Sequence, residues 1–383
     1  MSLGLAALRP VYVVGIGLHR YQRPSETSFV ELGLTAVRGA LADADIAFAA
    51  VDSASVANVN IGMAAGRTML KYLGASGLAI NQVENASASG SSAFRQACIE
   101  VGAGMSEVAL AVGVDKAAVV NSAGAKTGLS SLAGPALIPA AAFALMASDV
   151  MQRQGLTRED LARVAVKNHA NAAKNPYAHF QKARSLDEVL AEPAIAGVLT
   201  RLSCCPIGEG AAAVIVASEA AIRRLGISTK RAVRVLASVS RSERLYGPSE
   251  WATVELTRET VARAYEEANL GPTELDVVEV HDAFTIEEIL YTEALGLCAR
   301  GEGAHALASG KTAIGGDCAV SPSGGLLAMG HPLGPTGVGQ ICELTRQLRG
   351  EAGARQQPAA KVGLAHMVGV GQVCLVHILR AEY

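Results

Sequence analysis

What most confines the fold of this chain is that it repeats itself. Moving the sequence by 224 positions without a gap lays Val30-Glu31-Leu32 on Val254-Glu255-Leu256, Val37 on Val261, Ala40 on Ala264, Ala44 on Ala268 and Asp52 on Asp276. In both copies this block reads as an amphipathic helix, a turn and a strand. A second block matches at a shift of 244, where Gly90 falls on Gly334, Gln96 on Gln340 and Cys98 on Cys342. Apolar runs such as EVALAVGV and KVGLAHMVGV suit strands buried on both faces, and their alternation with helices predicts a layered α/β protein. The expected halves are residues 1–222 and 223–383. A segment of different character, about 120–200, is read as an inserted loop domain covering one end of the first half.

Composition narrows the partners. Among 383 residues, 33 basic and 35 acidic side chains nearly cancel, so no long-range field recruits nucleic acid or an anionic membrane. Seven scattered cysteines without a CxxC pair suit a reducing compartment, and the protein is expected to be cytoplasmic. The opening RPVYVVGIG reads as a first buried strand rather than a secretory leader. Residues 127–148 are free of charge and long enough to span a bilayer, but Pro135, Pro139 and their alanine-rich content favour a buried loop and helix.

Chemistry is expected where strands end. The strand GLAINQVEN breaks into NASASGSSAF, so a helix opens near Ser89 with free N–H groups and its positive dipole end beside Ser87. Ser87 and Ser89 are equally good helix caps. At the shift of 244, Ser87 superposes on His331 in GHPLGPTG, so equivalent turns present a hydroxyl and an imidazole. VVEVHDAF ends a buried strand with His281 and Asp282, both costly to bury without partners or a task. LAHMVGVGQV, with Gly369 and Gly371, offers backbone N–H groups for an oxyanion hole.

Taken in order, these four segments resemble the thiolase superfamily, from about Val11 to the C-terminus. The turn at Ser87 resembles its nucleophile motif, HDAF the motif supplying an oxyanion-hole side chain, GHPLGPTG the histidine motif and VGVG the C-terminal glycine loop. VAVKNHANAAKNPYAHF, CCPIGEGAAAVIVAS and the histidine of HDAF resemble the lipid-transfer, sterol-carrier-type branch. The resemblance implies a thiolase-like fold of two pseudo-symmetric αβαβα-layered halves, with an acyl-coenzyme A substrate and no metal or redox cofactor. It also implies a homodimer or homotetramer. Ser87, His331, His281 and Gly371 become the site residues: nucleophile, base and two oxyanion donors.

Two departures matter. Serine stands where the family carries its nucleophilic cysteine, and Met367 and Ala283 stand where a second cysteine is carried. A helix dipole contributes about 0.3–1 kcal/mol, or about 2 when buried, which moves a pKa by one or two units and cannot ionise an alcohol. Ser87 therefore needs a base in contact, for which His331 is expected. His366, beside Met367, is a candidate second base. Three readings follow: an acyltransferase acting through acyl-serine; a retro-aldolase on a β-hydroxyacyl-coenzyme A, working with a small OB-fold-type partner protein; and a silent acyl-coenzyme A or lipid binder. The inserted segment and RSERLYGPSEW are expected to line the acyl tunnel.

Overall fold

A computed structural model gives the fold, describing residues 4–117, 139–247, 251–370 and 372–382. The first half holds β1 (Val11–Gln22), β2 (Ser53–Ala57), β3 (Ala79–Val83), β4 (Val108–Asp115) and, beyond a small ribbon of β5 (Ala194–Ala196) and β6 (Leu199–Thr200), β7 (Glu209–Ser218). The second holds β8 (Val233–Ser242), β9 (Val277–Glu279), β10 (Ala319–Val320), β11 (Val362–Gly369) and β12 (Val373–Ala381). Apart from the β5–β6 ribbon, the described strands form one sheet in the order β3-β2-β4-β7-β1-β8-β12-β11-β9-β10. From the middle outward, both sides follow the same plan. In each, three strands run parallel at the edge and two antiparallel strands lead back to the centre. The seam is narrow, with Val11–Val13 of β1 pairing with Val233–Val235 of β8.

Seven helices position the site: α1 (Phe29–Ala44), α2 (Ser89–Gly102), α3 (Pro139–Gln154), α4 (Arg158–Ala172), α5 (Ala252–Ala268), α6 (Thr285–Ala294) and α7 (Leu333–Arg349). Helices α1 and α5 cover the outer faces of the two half-sheets, while α2 and α7 pack against each other between them. The layers are therefore helix, half-sheet, helix pair, half-sheet, helix, which is the expected αβαβα arrangement.

The repeat is physical as well as textual. Leu32 and Leu256, Val37 and Val261, and Ala40 and Ala264 are all buried on the inner faces of α1 and α5. Both helices end on a left-handed residue, Asp45 at φ 54° and Asn269 at φ 52°. Asp45 and Asn269 are again 224 positions apart. Asp52 accepts from the N–H groups of Glu107 and Val108 at 2.8 and 2.9 Å, where β4 begins. Asp276 does the same for Lys361 and Val362, at 2.7 and 2.9 Å, where β11 begins.

The insertion is placed differently from the sequence expectation. Its helices pack chiefly on the second half: α4 meets α6 and the short helices Gly303–Ala308 and Gly325–Ala328, and α3 meets α6. The anchor is polar. Asn168 donates to Asp282 Oδ2 at 2.6 Å and Glu288 Oε2 at 2.8 Å, and Lys167 reaches Glu288 at 3.1 Å and the Val320 carbonyl at 2.6 Å. Sequence adjacency pointed to the first half, but buried hydrogen-bond partners decide the docking. Of the charge-free run, residues 139–148 lie in α3 and 127–138 fall outside the described residues. Among the described residues no helix is long and apolar enough to cross a membrane.

Candidate active site

Between β3 and α2 the chain turns at Ala86, held at a left-handed φ of 49°. Ser89 fastens this turn: its hydroxyl donates to the Ala86 carbonyl at 2.6 Å and accepts the Asn85 N–H at 2.8 Å. Asn85 Nδ2 donates to Ser92 Oγ at 2.8 Å, and Ser92 donates to the Ala88 carbonyl at 3.0 Å. Ser87 takes no part in this lacing. The N-cap of α2 is Ala88, without a side-chain cap, so the capping reading does not apply to Ser87.

Its partner comes from the other half. Helices α2 and α7 cross where neither can carry a side chain: a Cβ on Gly90 would lie 2.5 Å from the Gly334 carbonyl oxygen and 2.9 Å from the Val338 nitrogen, and a Cβ on Gly337 would clash with the Ser91 nitrogen. Gly90 and Gly334 are the residues that the 244 shift superposes, so the crossing lies on the pseudo-two-fold. Ser87 precedes Gly90 by three residues, as His331 precedes Gly334. The two helix starts consequently meet, with His331 Nε2 at 3.1 Å from Ser87 Oγ.

The proton on the ring is assigned by the neighbouring threonine. His331 Nδ1 lies 3.0 Å from Thr336 Oγ1, whose own hydrogen is committed to the Pro332 carbonyl at 2.6 Å. Thr336 can only accept from the ring, so Nδ1 carries hydrogen and Nε2 presents its lone pair to Ser87. Desolvation, with His281 second, pushes this imidazole well below its ordinary range and keeps it a neutral base.

His281 stands edge-on to His331, with ring centres 5.3 Å apart and planes at 85°. Its Nδ1 faces Glu287 Oε1 at 3.1 Å, while Glu287 also accepts the Phe284 N–H at 3.0 Å and the Tyr291 hydroxyl at 3.1 Å. Its Nε2 is buried without a partner among the described residues. Because the Glu287 carboxylate only accepts, the hydrogen it receives is on Nδ1. Asp282 turns away, accepting the Leu326 N–H at 2.8 Å as well as Asn168. Burial, then Glu288, pushes its carboxyl well above the usual range.

Gly371, expected as an oxyanion donor, lies outside the described residues. The end of β11 reaches the serine turn, since a Cβ on Gly369 would clash with the Asn85 carbonyl oxygen. Met367 packs with Ala88 and Leu375, filling the space beside that turn with apolar atoms. His366 is not a spare base. Its Nε2 meets Thr257 Oγ1 at 2.9 Å, its Nδ1 faces the His281 N–H at 3.5 Å, and burial pushes it down to about 3. Sequence reasoning missed Thr336 and Glu287. Glu287 was findable, because a glutamate six residues after His281 at a helix start is placed to turn back on the preceding loop.

Comparison with known proteins gives the family. Residues 16–220 match the family model described as thiolase, N-terminal domain, and residues 237–380 match thiolase C-terminal domain-like. The chain is 38% identical over 372 residues to the benzoylsuccinyl-CoA thiolase subunit BbsB of Thauera aromatica, covering 95% of each. It is 37% identical over 401 residues to sterol carrier protein 2 of Homo sapiens, covering 99% of this chain and 73% of the relative. The solved structure of an Ltp2-ChsH2(DUF35) aldolase superposes with a TM-score of 0.84 at 25% identity, covering 97% of this chain and 98% of that one.

Proposed function

The chain belongs to the thiolase family, and from that we propose that it makes or breaks a carbon–carbon bond beside the carbonyl of an acyl-coenzyme A, with Ser87 as acyl acceptor and His331 as its base. The single observation that supports this is the 3.1 Å contact between Ser87 Oγ and the unprotonated Nε2 of His331. In the cleavage direction one base serves throughout. The Ser87 hydroxyl gives its proton to His331 as Oγ attacks the β-keto carbonyl. The bond between the α and β carbons breaks, leaving its electron pair on the α carbon of the coenzyme A thioester, which takes the proton from His331. Acyl-Ser87 then remains. The thiol of a second coenzyme A gives its proton to His331 and attacks the ester, and Ser87 recovers a proton as it leaves. The Gly371 N–H and, where its Nε2 also bears hydrogen, His281 are assigned to the oxyanions. No step calls on a bound metal or redox group.

A second reading is favoured by Met367 and by the engaged His366, neither of which serves as a base for an α proton, and by the likeness to an aldolase. His331 would take the proton of a β-hydroxyl, the carbon–carbon bond would break to a ketone, and the same proton would return to the α carbon of the shorter acyl-coenzyme A. A small OB-fold-type partner subunit belongs to this reading, because the aldolase is named for two proteins and BbsB as a subunit. In both readings the assembly we propose is at least a homodimer.

Intact mass after incubation with a 3-ketoacyl-coenzyme A decides between them. Acyl transfer requires an adduct that Ser87→Ala abolishes and Ser87→Cys raises at least tenfold. Release of a ketone from a β-hydroxyacyl-coenzyme A without any adduct requires retro-aldol cleavage. Neither adduct nor ketone from the folded protein would reject both.

A further inference from the structure

A small space of about 20 Å³ is lined by Tyr21, Glu279, Ser323, Thr336, Gln340 and Glu343, among others. That volume accommodates one water. Gln340 is 4% exposed. Its amide nitrogen donates to the carbonyls of Val280 and His366, each at 3.2 Å, and its Oε1 is buried with no partner. Glu279, 1% exposed, accepts from Ser323 through the backbone N–H at 2.9 Å and the hydroxyl at 2.7 Å. Neither contact supplies Gln340 with the donor it lacks. A buried carbonyl oxygen without a donor, beside a void of water size and a carboxyl group, is a hydrogen-bonding deficit that one molecule removes.

We propose that this cavity holds a single water joining Gln340 Oε1 to the Glu279 carboxyl, and that Glu279 is a positioning residue acting on His331 across that water and Thr336. Burial, then Glu343, pushes the Glu279 carboxyl up to about 8, against the Ser323 hydrogen bonds and Lys167. The charged or titratable groups facing it are Tyr21 of β1, Lys167 of α4, Asp282 beyond its own strand, and Glu343 and Arg346 of α7. Glu343 is itself paired with Arg355 at 2.9 Å. Below that range the acid is neutral and donates to the water; above it the new carboxylate reverses the water and favours positive charge on His331. The assignment rests on His331 being the base of the proposed reaction, but its test does not require turnover.

The full chain carrying 15N-histidine, followed by long-range proton–nitrogen correlation spectra from pH 6 to 9.5, reads the ring directly, with His331→Gln identifying the resonances. In the wild type His331 holds its hydrogen on Nδ1 throughout, and its nitrogen shifts pass through an inflection near pH 8. Glu279→Gln, of the same shape but unable to ionise, loses the inflection. Gln340→Leu removes the water's acceptor, leaves the carboxylate less solvated and moves the inflection upward by about one pH unit. A wild type without an inflection, one that survives Glu279→Gln, or one unmoved by Gln340→Leu overturns the proposal. Should Glu279→Gln fail to fold, Gln340→Leu carries the test. An absent Ser87 adduct would reject the reaction but leave these spectra unchanged.

Discussion

Thr336 decides which nitrogen of His331 faces Ser87, and it does so because its own hydrogen is already given to Pro332. Thr336→Val keeps the shape and removes the acceptor. A buried N–H then loses its partner at a cost of about 1–3 kcal/mol, part of which is escaped by moving the hydrogen to Nε2. Acylation of Ser87 should fall about 5- to 100-fold in kcat/KM with KM little changed, and the nitrogen spectrum should show the other tautomer. A change in KM alone would mean that the threonine only shapes the pocket. Because His331 is held well below its usual range, the acid limb of the wild-type rate should lie below pH 6.5. Ser87 and His331 were legible in the sequence because the repeat equates their positions. Thr336 was not, since a hydroxyl in GHPLGPTG shows its polarity in a sequence and not the direction of its hydrogen.

Among elements, the crossing of α2 and α7 governs catalytic distance. Backbones this close tolerate glycine alone, so Gly90→Ala must push a Cβ against the Gly334 carbonyl and the start of α7. Overpacking of this kind costs about 1–3 kcal/mol, and here it also separates the serine from the imidazole. The melting temperature should drop, and the yield of Ser87 adduct should drop further than the folded fraction accounts for. Equal losses would show that the glycines serve stability only. The equivalence of Gly90 and Gly334 was visible at the 244 shift, but equivalence is not contact: only the folded helices bring the two positions together. The insertion misled for a related reason, since Lys167 and Asn168 look like solvated surface until Asp282 and Glu288 appear opposite them.

For the molecule as a whole, the two-fold makes a quantitative demand. Asp52 and Asp276 do the same work at the starts of β4 and β11, so Asp52→Ala and Asp276→Ala should each destabilise by about 1 kcal/mol. Being far apart, they should add within about 0.5 kcal/mol in the double variant when unfolding is followed by denaturant. A marked inequality would show that the halves have diverged in stability as well as in chemistry. The same symmetry bears on what such a site can hold. A pair of identical polypeptides joined by a two-fold must place the same amino acid at both helix openings, whether two hydroxyls or two imidazoles. Two halves encoded as different stretches of one chain are free of that constraint, so one opening can hold the hydroxyl and the other the imidazole, a division of labour closed to a dimer of identical halves.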